Sequence, residues 1–231
     1  MKMLLTSAGV SNPSIAQALE ELLGKPVSAS SALFVPTAIY PFEGGSRQAM
    51  RALRGEAPTP LAELGWASLG LLELTALPSL RLEHWLPALE KADALLVYGG
   101  NVAYLTWWLW RSGVAHNLPN LKNLVYVGVS AGSIAVTPSN CDAASNLEVL
   151  PLDSEAALNA DRGLALVPFT MWVHVGNPDP IFADHTMENA RAWATTSGWP
   201  TYALDDESAL AVVDGRVTVI SEGTWARFEP E

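Results

Sequence analysis

The 231-residue sequence contains a single cysteine, Cys141. One thiol excludes an intrachain disulfide framework and supplies no CxxC pair for zinc or redox chemistry. Basic residues are also scarce, 13 Lys and Arg against 24 Asp and Glu, for a formal charge of -11. Such a field repels phosphate backbones and anionic lipid, so nucleic-acid and membrane-surface roles are set aside. Long apolar runs are missing too. "MKMLLTSAGV" offers only two adjacent leucines before Thr6 and Ser7, too short for the core of a signal peptide, and no window reaches the length of a membrane span. The expectation is a cytoplasmic protein with neither nucleic-acid nor membrane partners.

Hydrophobic residues, by contrast, make up 49% of the chain and charged residues 16%, enough apolar content for one sizeable core. No repeat, low-complexity tract or Pro/Gly/Ser linker divides the sequence, so a single catalytic domain over residues 1–231 is expected, as a monomer or homodimer. Short β-rich runs alternate with amphipathic segments, the pattern of parallel strands joined by crossover helices. "MLLTSAG" reads as a first strand. "SNPSIAQALEELLGK" follows as a helix capped at Ser11 or Asn12, with Pro13 in its first turn and Ile15, Leu19 and Leu22 on one stripe. "ALFVPTA", a weaker "GWASLGLLEL", "ALLVYGG", "LVYVGV" and "GLALVPF" (163–169) read as further strands. "LRLEHWLPALEKA" reads as a helix with Leu82, Trp85, Leu86 and Leu89 inward, and "AYLTWWLWRSG" as a tryptophan-rich one. "ALAVVDGRVTVIS" is a hairpin turning at Asp214-Gly215. The class is α/β, a three-layer αβα sandwich with a mostly parallel central sheet and a C-terminal antiparallel hairpin. Residues 139–162 lack periodicity and read as an irregular excursion near a site.

Chemistry concentrates in "LVYVGVSAGSIAV" (124–136). A strand turning sharply into a helix strains its turn residue and requires small neighbours. Gly128 and Gly132 meet that need, and the Ser130 hydroxyl then stands above the carboxyl edge of the sheet, a nucleophile elbow. The Ala131 amide beside it points toward developing negative charge. Tight strand–helix packing alone is the bland alternative. An activated serine needs a base. Of the four histidines, His84 and His116 read as solvent-facing and His185 as a residue at a helix start, near the capping Asp184 or Thr186. His174, five residues past "GLALVPF", is delivered to the same sheet edge as Ser130.

Taken together, "YGGN" after a buried strand, "GVSAGS" after the next and "LVPF" followed by His174 resemble the peptidase E and cyanophycinase family of serine peptidases. The opening strand, "LFVPTA" and the late "ALDDESALAVVDG" extend the likeness over most of the chain. The resemblance implies a class I glutamine amidotransferase-like fold and a covalent acyl-enzyme. It also implies cleavage of a small peptide substrate, as a dipeptidase or small exopeptidase, without metal or cofactor. For the third catalytic member the candidates between Ser130 and His174 are Asp142, Glu148, Asp153, Glu155 and Asp161. Glu148 is chosen: it follows the serine at a distance similar to that of the cyanophycinase glutamate, and Leu147 and Val149 flank it in what reads as a short strand. Asp142 and Asp153 stay as alternatives. Geometry and resemblance together assign the oxyanion hole to the N–H groups of Gly100 and Ala131, with Gly99, Asn101 and Trp172 lining the substrate site. Asn101 could equally cap the next helix, and Trp107 and Trp110 read as core.

Relatives that cleave after aspartate use a basic residue downstream of the catalytic histidine, but "NPDPIFADHTMENARAW" offers only Arg191, late in the stretch. Asp179, Asp184 and Glu188 in that segment would repel an acidic substrate. Two other readings stay open, an α/β-hydrolase-type esterase and a non-catalytic binding protein of the same fold.

Overall fold

Along β1 (Lys2–Thr6) the side chains alternate between two cores, Leu4 on one face, Met3 and Leu5 on the other. A strand buried on both faces needs a helical layer on each. The computed structural model describes residues 1–230 and provides both layers. After β1 come α1 (Pro13–Leu23), β2 (Ser31–Val35), α2 (Gly45–Leu53), β3 (Ser68–Leu71), α3 (Leu86–Lys91), β4 (Ala94–Val97), α4 (Val102–Arg111), α5 (Val114–Asn117) and β5 (Val125–Val129). The chain continues with α6 (Ala131–Ile134), α7 (Ala143–Leu147), α8 (Glu155–Leu158), β6 (Thr170–Trp172), α9 (Met187–Ser197), β7 (Thr201–Leu204), β8 (Ser208–Val213), β9 (Arg216–Ser221) and β10 (Trp225–Phe228).

Seven strands form the central sheet in the order β3-β2-β4-β5-β1-β8-β9, the first five parallel and the last two antiparallel. On one face Leu4, Phe34, Leu96 and Val127 pack with α1 and α2; on the other Leu5, Leu95 and Tyr126 pack with α3 to α6. This is the three-layer α/β sandwich. Local chemistry places the elements. Asn12 caps α1 by accepting from Ile15 N, Pro13 fills its first turn, and Ile15, Leu19 and Leu22 are buried. Asp214 and Gly215, both with positive φ, make the tight turn between β8 and β9. Because β8 runs against β1, Ala209 pairs with Thr6. The start of β8 therefore meets the edge where the parallel strands end.

Two segments depart from the sequence reading. Residues 163–169 are not a strand: the N–H groups of Leu164, Ala165 and Leu166 donate to Ala135, Thr137 and Val136 behind α6, and Pro168 has no N–H for a ladder. The strand begins at Thr170 and belongs to a second sheet, β10-β7-β6. "LRLEHWLPALEKA" is split into a 3-10 turn at Leu82–His84 and α3, which starts just before Pro87. Trp85 and Leu89 point inward as expected, but Leu82 is exposed and Leu86 only half-buried. Residues 139–162 hold only two short helices, α7 and α8, as an excursion would. Among the described residues no helix is long and apolar enough to cross a membrane.

Candidate active site

The turn out of β5 carries the strain that its sequence suggests. Ser130 has φ 51 and ψ -114, outside the regions open to an unstrained serine. Its flanks admit nothing larger than glycine. A Cβ on Gly128 would lie 2.7 Å from the backbone of Gly132 and Ser133, and one on Gly132 would lie 2.1 Å from Val97 O. The serine is pinned to the sheet through Ser130 N, which donates to Thr6 O at 3.1 Å, while Ser133 N and Ile134 N donate to Ser130 O. Gly132→Ala should therefore lose about 3 kcal/mol of stability or fail to fold, because the contact is with backbone that cannot yield. Urea unfolding measures this, and a wild-type midpoint would contradict it.

His174 is the second strained residue, with φ 59. Its N–H donates to Ser7 Oγ at 2.8 Å, and its carbonyl accepts from Asn177 N at 3.1 Å. Held this way, the imidazole sets Nε2 at 2.9 Å from Ser130 Oγ and Nδ1 at 2.6 Å from Asp206 Oδ1. A carboxylate only accepts, so Nδ1 carries the proton and the Nε2 lone pair faces the serine hydroxyl. Phe182 stacks on the ring, centroids 4.1 Å apart and planes 26° apart.

The acid beside the histidine is thus Asp206, which lies after His174 in the chain and not between Ser130 and His174. Glu148 is exposed at the end of α7, and its carboxylate has no hydrogen bond or ion pair among the described residues. The segment before it is helical rather than a strand, so nothing aims it inward. Asp153 is exposed as well. Asp206 stands just before β8, at the carboxyl edge because β8 is antiparallel. Burial pushes its pKa up, but hydrogen bonds from His174, Asn177 and Ser7 and the attraction of the imidazolium outweigh burial and hold it below the ordinary carboxylate value. Ser7, buried at the end of β1, serves both partners, donating to Asp206 Oδ1 at 2.9 Å while accepting from His174 N. Its signal in the sequence is position alone: the second residue of "TSAG" ending a buried strand.

Around this trio, Gly99 lies against the nucleophile, where a Cβ would sit 3.2 Å from Ser130 Cβ. Gly100 has φ 138 and backs onto Ala38, whose O would be 2.3 Å from an added Cβ. Neither Gly100 N–H nor Ala131 N–H meets an acceptor among the described residues. Asn101 is fully buried, accepts from Tyr104 N to cap α4 and donates to Asn146 O at 2.9 Å. Trp172 packs against His185 and Trp193, and the ring covering the imidazole is Phe182. Asp179, Asp184 and Glu188 are exposed, and Asp179 caps the turn at Pro180–Phe182. Arg191 lies over Phe228, at 4.7 Å from its ring centre.

A second carboxylate does lie close. Asp142 is largely buried with its Oδ1 3.9 Å from His185 Nε2, and His185 Nδ1 donates to Val173 O at 2.6 Å. Burial raises the Asp142 pKa, and the charges of His185 and His174 only partly offset it. His84 and His116 are exposed, as expected. Among the described residues no group of three or more His, Cys, Asp or Glu is placed to hold a metal ion.

Comparison with known proteins adds to this geometry. The model of peptidase family S51 matches residues 3–220. No curated protein matches the chain in sequence. Two solved structures share the fold. A peptidase E candidate from Listeria monocytogenes EGD-e has a TM-score of 0.66 at 18% identity, with 96% of this chain and 98% of that one covered. A peptidase from an acI-B1 Actinobacterium has a TM-score of 0.56 at 15% identity, with 99% and 94% covered.

Proposed function

Because this chain belongs to peptidase family S51, and is by that membership a serine-type peptidase, we propose that it cleaves dipeptides or other short peptides through an acyl-enzyme on Ser130, with His174 as general base and Asp206 as its orienting acid. The observation that carries the reading is the position of one imidazole, with Nε2 on Ser130 Oγ and Nδ1 on Asp206 Oδ1. As Ser130 Oγ attacks the scissile carbonyl, Nε2 takes its proton, and the carbonyl oxygen becomes an anion received by the N–H groups of Gly100 and Ala131. Collapse of that intermediate expels the amine, which accepts the proton from Nε2. Water, deprotonated by the same nitrogen, then releases the acyl group. Asp206 keeps the proton on Nδ1 throughout and stabilises the imidazolium without itself being protonated. Strain at Ser130 and His174 fits this role, since such backbone persists where the surroundings fix it for a task.

Substrate preference follows from charge. None of the hydrogen-bond, ion-pair or ring partners of Ser130, His174 and Asp206 is Lys or Arg, while Asp206 bonds the imidazole and Asp142 lies beside His185, whose ring is 6.2 Å from that of His174. Peptides with aspartate at the cleaved position should be about a hundredfold poorer in kcat/KM than neutral ones. The test is labelling by a serine-reactive phosphonate, read by intact mass, followed by a panel of dipeptides and short-chain esters. Labelling with peptide turnover supports the peptidase. Ester turnover without peptide turnover would make it an esterase, and absence of labelling a binding protein. Fast, selective cleavage of Asp-Xaa peptides would overturn the preference.

A further inference from the structure

The tryptophan-rich helix α4 has an outer face that the catalytic site does not use. Between it and α8 lies a cavity of about 600 Å³. Thr106 lines it, 4% exposed, and its Oγ1 is buried without a hydrogen-bond partner. Trp107 and Trp110 wall the same space, Trp110 being partly open to solvent. Two guanidiniums line it as well, those of Arg111 and Arg162. Arg111 lies over the Trp107 ring at 5.5 Å. Although acids outnumber bases 24 to 13 in this chain, neither arginine pairs with a carboxylate among the described residues. The one carboxylate lining the cavity, Glu155, is bound by Trp107 Nε1 at 2.9 Å.

From these features we infer that the cavity between α4 and α8 is a binding site for an aromatic carboxylate. Flat aromatic walls select a planar ring. Unpaired guanidiniums select a carboxylate, which they can bind in two-pronged fashion. The site is separate from the reaction centre: none of its lining residues bonds to Ser130, His174 or Asp206. α4 nevertheless begins two residues after Gly100, so an occupant would rest on the helix that the oxyanion loop leads into.

Calorimetric titration of the full chain with indole-3-acetate tests this. A Kd of about 1 mM or tighter is expected, at least tenfold weaker for the uncharged indole-3-acetamide. Arg111→Gln and Arg162→Gln, both exposed and so harmless to folding, should each weaken binding about tenfold, the loss of a charge-assisted contact. Glu155→Gln, which keeps an acceptor for Trp107, should strengthen it. Ser130→Ala should leave Kd unchanged. A peptide ending in tryptophan, titrated into the Ser130→Ala chain, separates sources. Affinity like that of indole-3-acetate assigns the site to free aromatic carboxylates, and a gain of tenfold or more assigns it to peptide ends. Failure to bind at 10 mM, equal affinity for acetate and acetamide, wild-type affinity in both arginine variants, or loss of binding in Ser130→Ala would each overturn the inference.

Discussion

Replacing Ser130 by alanine should lower kcat by at least about a thousandfold while the fold persists. The hydroxyl is the atom proposed to form the covalent bond, so no neighbour can stand in for it. Its removal costs little structurally, because the backbone bonds from Ser130 N to Thr6 O and from Ser133 N and Ile134 N to Ser130 O do not involve the side chain. Matched circular dichroism and urea midpoints, with turnover under a thousandth of wild type, are the expected result. His174→Ala should lose nearly as much, and the double variant little more than either single one, since the two groups act on one proton. A purified Ser130→Ala protein with more than a tenth of wild-type turnover would remove Ser130 from the nucleophile role.

The second large effect separates Asp206 from Glu148. Asp206→Asn keeps the shape but offers Nδ1 an amide in place of a carboxylate, which frees the ring to take the wrong tautomer and withdraws the countercharge of the imidazolium. A loss of about 10³- to 10⁴-fold in kcat follows. Glu148→Gln should behave as wild type, its side chain being exposed and unbonded. The opposite pattern would return the acid to Glu148. Stability carries its own signature. The folded-state pKa of Asp206 is depressed, so its contribution is present above the unfolded value near 4 and is lost as pH falls through the lower folded value. Wild-type stability should therefore drop more steeply below about pH 4 than that of Asp206→Asn.

How far the sequence disclosed this arrangement depended on the kind of signal. Strands β1, β2, β4 and β5, the cap of α1 and the turn at Asp214-Gly215 are written in local chemistry, through apolar runs, a capping asparagine and a glycine turn, and were legible. Ser130 was legible too, because Gly128 and Gly132 mark the close packing around it. "GLALVPF" was misleading for the converse reason: its apolar residues fill the core, but its N–H groups bond to the segment after α6, a partnership that periodicity does not record. Asp206, the carboxylate on the imidazole, follows His174 in the chain, outside the serine–acid–histidine order that puts the candidates between Ser130 and His174. Two adjacent aspartates in "ALDDESAL" also look alike. Only the fold parts them: Asp205 turns to Ser208 Oγ and the Glu207 and Thr224 amides, and Asp206 to the imidazole.

Ser7 gives the site a dependence on the order of assembly. β1 is paired on one side to residues 125–129 and on the other to residues 209–213, and Ser7 just past its end joins the histidine amide to the aspartate. The trio itself lies within residues 130–206, but Ser7, which bonds two of its members, and Thr6 O, which pins Ser130 N, come from the first strand and its end. Loops of more than a hundred residues must close before β1 pairs with β5 and Ser7 reaches the His174 amide, the topology of slow folding. In refolding, turnover should return with the last cooperative phase rather than with early secondary structure. During synthesis the site would stay unassembled until β8 has docked against β1, because Asp206 and Ser7 meet only there.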